Sequence, residues 1–168
     1  MSAERQTLVA GGRVVVGEQI LQADVLVEGQ RIAGIVSPDA GVRAGRIVDA
    51  QGCYVLPGII DAHTHIMLDT GIYRTVDDWE VGTRAAAFGG VTTVIDFANQ
   101  IVGRPFAEAL AARQREATDA VIDYALHMVI LNPEGDPDAL RASLAQLMEL
   151  GVPSIKLFTT YRPNYYVD

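Results

Sequence analysis

Histidines at positions 63 and 65, one residue apart, are the pair in this chain with the clearest chemistry. They follow the apolar run Tyr54-Val55-Leu56-Pro57-Gly58-Ile59-Ile60-Asp61, which reads as a strand over 54–61. Side chains at i and i+2 of an extended chain share a face, so both imidazoles point the same way where the strand ends. That is a rigid grip for a divalent ion, zinc or another borderline metal. Two loop histidines without a ligand are the competing reading. Lys156 is the second oddity. It lies in Val152-Pro153-Ser154-Ile155-Lys156-Leu157-Phe158, a run that otherwise reads as a buried strand. An unpaired ammonium there costs several kcal/mol. Ser154, Lys156 and Phe158 share one strand face. If that face lines an interior, Lys156 points towards the histidines and desolvation favours its neutral amine. A neutral amine can add carbon dioxide to become a carbamate, a two-oxygen anion able to bridge two metal ions. A water between those ions would be acidified towards neutral pH. A lysine snorkelling into solvent is the alternative.

Composition limits the partners. The 168 residues carry 21 acidic and 13 basic side chains, a formal net charge of −8. Nucleic-acid binding calls for clustered Lys and Arg instead. With 49% apolar residues the chain can build a proper core. Cys53 is the only cysteine, so no internal disulfide forms and a reducing cytoplasm fits. Cys53 itself reads as a small apolar filler. The N-terminus does not read as a signal peptide, and no run approaches the ~20 apolar residues of a membrane span.

Two textures divide the chain. Residues 1–52 hold Gly-separated β runs, with Glu28-Gly29-Gln30 as a tight turn. They are expected to form an antiparallel unit, part of a small β-sandwich domain. From residue 53 to 168 strands alternate with helices. Strands are expected at about 54–61, 91–97, 123–131 and 153–160. The first helix, about 77–88, is expected to start at Thr75-Val76-Asp77-Asp78 and stop at Gly89-Gly90. Pro105 opens the second, and Asp136-Pro137 and Gly151 bracket the third. Such βαβ units require parallel strands and right-handed crossovers. No G-x-G-x-x-G turn follows a strand, which removes the dinucleotide-binding signature. Chemistry at strand C-termini suits a (β/α)8 TIM-type barrel. Four βα units are about the first half of one, so the fold class is α/β, a partial barrel behind part of a β domain.

The whole pattern resembles the hydantoinase and dihydropyrimidinase family of cyclic amidohydrolases. Val55–His65 is similar to that family's first metal motif. The segments Thr83–Phe97, Asp123–Met128 and Gly151–Phe158 match it in order and spacing. The resemblance covers essentially the whole chain, read as the N-terminal part of such a protein. It implies that His63 and His65 ligate one metal of a binuclear centre holding two divalent ions, usually Zn2+. It implies that Lys156, carboxylated by carbon dioxide, bridges both. Tyr161 matches the family tyrosine that steadies the oxyanion when the ring carbonyl is attacked; a half-buried aromatic at the strand exit is the competing reading. Two further histidines and an aspartate would come from later strands, beyond Asp168. The implied reaction opens a small-molecule cyclic ureide at an amide bond, giving an N-carbamoyl amino acid. The full-length protein would be a homo-oligomer, commonly a tetramer, and this half-barrel alone would be inactive.

Other residues are read more modestly. His127 is expected to be a satisfied core histidine, not a ligand. Asp96 could support the site or bind local backbone amides, and Asp61 could orient a ligand histidine. Dihydroorotases carry an arginine two residues after the second histidine; here that position is Met67, which favours an uncharged substrate group. An allantoinase is the nearby alternative. A non-catalytic scaffold like the collapsin response mediator proteins is the more distant one, against which the retention of His63, His65 and Lys156 counts.

Overall fold

The computed structural model describes residues 5–131, 136–162 and 166. The chain divides into two compact units, Met1–Pro57 and Gly58–Asp168.

The first unit is one five-stranded sheet. Its strands are β1 (Gln6–Val16), β2 (Gln19–Glu28), β3 (Arg31–Val36), β4 (Arg46–Asp49) and β5 (Tyr54–Val55). Tight connections make β1–β2 and β2–β3 antiparallel, with Gly29-Gln30 as the second turn. The expected all-antiparallel unit is corrected here: β4 and β5 both run parallel to β1. The chain reaches β4 through the longer connection 37–45, which lets it return in the same direction as β1. Val14, Ala23 and Val25 form the buried centre. Cys53 is exposed, not a core filler.

The second unit alternates strictly. It runs β6 (Ile59–Asp61), α1 (Trp79–Phe88), β7 (Val91–Asn99), α2 (Phe106–Glu116), β8 (Asp123–Val129), α3 (Pro137–Glu149) and β9 (Ile155–Lys156). The strands lie in the order β6-β7-β8-β9, all parallel. This is the curled parallel half-barrel that the βαβ pattern predicts. No helix among the described residues is long and apolar enough to cross a membrane.

Local signals account for the helix ends. Asp78 caps α1, accepting a bond from the Val81 N–H at 2.8 Å. Asp136 caps α3 ahead of Pro137. Gly90 (φ 86°) and Gly151 (φ 81°) take the left-handed turns that end α1 and follow α3. Thr75 does not cap α1. Its hydroxyl accepts from the Leu68 N–H at 2.8 Å and helps close the loop 68–75.

Two strand expectations need correction. The run 54–61 is broken, because Tyr54–Val55 joins β1 and only Ile59–Asp61 joins β7. Pro57 lies in the break and has no N–H to give a ladder. The fourth strand is only Ile155–Lys156, with Ile155 46% and Leu157 48% exposed. The run is therefore not a buried one.

Alternation along β7 and β8 creates two faces. Ala98, Leu126 and Met128 pack against Phe106, Ala109 and Leu110 of α2 and Leu147 of α3. Val94 packs with Trp79 of α1. The opposite face presents Phe97 and His127, register partners on β7 and β8.

Candidate metal centre at the strand ends

That second face carries the chemistry. The segment after β6 leaves the sheet at Asp61, and His63 and His65 turn their rings onto Phe97, at centroid separations of 4.7 and 4.8 Å. Their Nε2 atoms are 3.3 Å apart. Lys156, from the end of β9, brings Nζ to 3.5 Å from His63 Nε2. Its Nζ also lies 4.3 Å from the centre of the Phe97 ring and 4.7 Å from that of Phe158. The three side chains expected from sequence to meet are thus together, although they come from the ends of the two edge strands of the sheet, β6 and β9. They open into a cavity of about 650 Å3 that Tyr161 also lines. Both histidines are exposed and Lys156 is half-buried, so the dry setting expected for the lysine is not present.

The donor set can be tested against a divalent ion. Two imidazole nitrogens bound at about 2.0–2.1 Å to one tetrahedral ion stand roughly 3.3–3.4 Å apart, which is the separation found. His65 titrates below the ordinary histidine value of 6.5. Partial desolvation of the ring is the main cause, followed by the charge of Lys156, while Asp96 acts in the opposite direction. A neutral ring keeps its lone pair for a metal. Among the described residues no group of three or more His, Cys, Asp or Glu side chains comes together. The third group here is an amine, and as an ammonium it would repel a cation. Conversion to a carbamate would reverse that sign and supply two oxygen donors. The residues fit a divalent metal on those terms.

Other expected residues sort differently. Tyr161 is 65% exposed on the cavity wall and has φ 64°. A bulky side chain in the left-handed region costs about 1–3 kcal/mol and is typical of functional sites. Met67 does not face the cavity. It has φ 49° and packs with Ile66 against the Trp79 and Val94 cluster. The wall position falls to Leu68, because the turn after His65 sends Met67 inward. Asp61 accepts from the backbone N–H of His63 at 3.2 Å, not from its ring. His127 is half-buried at the site face instead of in the helix-side core. Its Nδ1 is 2.5 Å from Ser154 Oγ and its Nε2 3.4 Å from the Ala62 carbonyl. The carbonyl only accepts, so Nε2 donates to it and Nδ1 accepts from the serine hydroxyl. It is satisfied, as expected.

Phe97 and Arg113 were not singled out by sequence. Phe97 touches both histidines and Lys156 and is the floor of the site. Arg113 is buried on α2 and reaches Asp96 beneath the histidine turn. Its signal is positional: Phe106, Ala109, Leu110 and Arg113 fall on one helical stripe. A cation on an apolar stripe needs a buried partner.

A profile of the amidohydrolase family matches residues 46–148. The D-hydantoinase of Geobacillus stearothermophilus is 38% identical over 162 residues, covering 96% of this chain and 34% of that protein. The D-hydantoinase of Streptomyces coelicolor is 38% identical over 168 residues, covering 97% of this chain and 35% of that one. Among solved structures, dihydropyrimidinase from Brevibacillus agri superposes with a TM-score of 0.89 at 33% identity, over 97% of this chain and 35% of that one. The chain thus spans about a third of the length of the relatives it matches.

Proposed function

This chain belongs to the amidohydrolase family, within its hydantoinase and dihydropyrimidinase group, and from that premise we propose that the whole protein opens a cyclic ureide. The substrate would be a 5-substituted hydantoin or a dihydropyrimidine. Water adds its oxygen to the ring carbonyl carbon, the amide C–N bond breaks, nitrogen takes a proton, and an N-carbamoyl amino acid leaves. The observation that carries this reading is the convergence of His63 Nε2, His65 Nε2 and Lys156 Nζ within 3.3 and 3.5 Å at the mouth of one cavity.

Amidohydrolases generally use divalent metals. Bound there, such ions supply Lewis acidity and a water acidic enough to react near neutral pH. His63 and His65 would hold one ion through Nε2. Lys156 would bind carbon dioxide through its neutral amine, forming an N–C bond and releasing one proton, and offer the two carbamate oxygens. Phe97 keeps water from the underside of all three groups. Tyr161 would donate its phenolic hydrogen to the carbonyl oxygen as negative charge grows on it. Leu68, Ile72 and Phe158 line the same cavity and suit an uncharged substituent. With zinc as the native ion, the same reading describes a cytoplasmic homo-oligomer, and a single cysteine fits a reducing compartment.

The test uses the full-length protein. Dihydrouracil and a 5-substituted hydantoin are supplied with zinc, and the N-carbamoyl product and bound metal are measured. Ring opening with about two equivalents of metal is expected, and Lys156→Ala should lower both. Full activity without metal, or no opening of either ring by the zinc-loaded protein, would overturn the reading.

A further inference from the structure

The histidine turn lies outside the β6 ladder, so something else must fix it. We infer that Asp96 and Arg113 are positioning residues that set the place of His65; this rests on the proposed metal centre. Asp96 sits on the packed face of β7 at 1% exposure, and Arg113 reaches it from α2 at 7%. As His63 and His65 face the cavity, Thr64 and Ile66 meet Asp96 behind it. One carboxylate oxygen, Oδ2, accepts from the Ile66 N–H at 2.8 Å and from the Thr64 hydroxyl at 3.3 Å, whose single hydrogen it shares with the Ile95 carbonyl at the same distance. The residues on either side of His65 are therefore tied to the same atom.

The other oxygen completes the arrangement. Oδ1 accepts from the Phe97 N–H at 2.6 Å and from Arg113 Nη2 and Nε at 2.6 and 3.1 Å. Arg113 Nη2 also donates to the Ile66 carbonyl. Both backbone groups of Ile66 are thus held by one ion pair, while Thr64 N–H is held by the Ile95 carbonyl at 3.1 Å. A buried ion pair is seldom more stabilising than an apolar pair of similar size, so stability alone does not explain these residues. A planar fork that grips a carboxylate and a carbonyl together gives direction, and direction is what a metal ligand on a loop requires.

The experiment uses the full-length protein with zinc as probe. Asp96→Asn/Arg113→Gln removes both charges at once, so no lone charge stays buried. Arg113→Lys keeps the charge and loses the fork, which keeps the test open if the double variant does not fold. Two readouts are taken: hydrogen exchange of the Ile66 amide in metal-free protein, and zinc affinity by chelator competition. Faster Ile66 exchange and a zinc affinity lower by about ten- to a hundredfold are expected, with substrate KM nearly unchanged because neither residue lines the cavity. Leu147→Ala, a buried change remote from the turn, should leave zinc affinity within about twofold. The inference fails if the variants keep wild-type Ile66 protection and zinc affinity, or lose no more affinity than Leu147→Ala. A wild-type protein that takes up no zinc overturns the proposed function, and this inference with it.

Discussion

Gly58 opens the strand that leads to the histidines, and replacing it by alanine should loosen that strand. A Cβ at Gly58 would lie 2.0 Å from Thr92 Oγ1, 2.3 Å from Cγ2 and 2.7 Å from Cβ. Rotating Thr92 can move its two outer atoms, but its Cβ is fixed to β7. Reaching an ordinary carbon contact of about 3.5–4.0 Å requires the two chains to part by roughly 1 Å. The adjacent bond from the Ile59 N–H to the Gly90 carbonyl, at 3.0 Å, lies in the way of that movement. Overpacking costs about 1–3 kcal/mol and a lost hydrogen bond about 0.5–1.5 kcal/mol. The stiffer unfolded chain returns only about 0.4–1 kcal/mol. A net loss of roughly 0.5–4 kcal/mol is therefore expected. Urea unfolding of the full-length protein should show a lower midpoint at unchanged slope. Thr92→Gly removes all three clashing atoms, so the loss should shrink by about 0.5–3 kcal/mol in that background. A Gly58→Ala protein as stable as wild type, or an equal loss with and without Thr92, would refute the steric argument.

Two further outcomes test the site itself. Tyr161→Phe should lower kcat by about 10²–10³-fold, the usual effect of removing one oxyanion donor, while zinc content stays at the wild-type level. An unchanged kcat would return Tyr161 to the status of a wall residue. In metal-free protein the ring of His65, followed by NMR, should titrate below 6.5. The folded state then binds this proton less readily than the unfolded one, so the His65 contribution to stability is full above 6.5 and is lost as pH falls below it. Lys156→Met removes the second-largest cause and should move the midpoint part of the way back up. A midpoint at or above 6.5, or one indifferent to Lys156, contradicts the geometry.

Features set by neighbours in the chain were legible in the sequence. Asp136, Pro137 and Gly151 mark α3 because capping is local, and the spacing of His63 and His65 brings both rings to one side of the segment that follows β6. Features set by distant pairing were not. Residues 54–61 look like one strand by hydropathy, yet Tyr54–Val55 join β1 and Ile59–Asp61 join β7; which neighbour each end finds is a long-range matter. The turn after His65 is another case. Counting residues puts Met67 against the substrate, but a left-handed backbone at that residue (φ 49°) turns it inward and presents Leu68. The sequence allows Asp96 either to support the site or to bind local backbone amides, and in the structure it also accepts from a distant backbone amide. That the amide belongs to Ile66, thirty residues earlier, and that an arginine from α2 shares the task, required the fold.

The two faces of β7 divide the work. Phe97 and the groups above it are open to the cavity, with both histidines exposed and Lys156 half-buried. Asp96, one residue away, is sealed behind the sheet with Arg113. Alternation in a strand makes this division unavoidable: a residue that touches the chemistry has as its neighbour one that touches the packing. The exposed groups can therefore change with little effect on folding, because few contacts are lost. Changes behind the sheet should disturb packing and the histidine turn together, since the carboxylate that pairs with the buried Arg113 also accepts from the Ile66 N–H in that turn. A hydrolase built on such a sheet can vary its substrate wall through loops such as 68–75 while the packed side keeps its ligands in register.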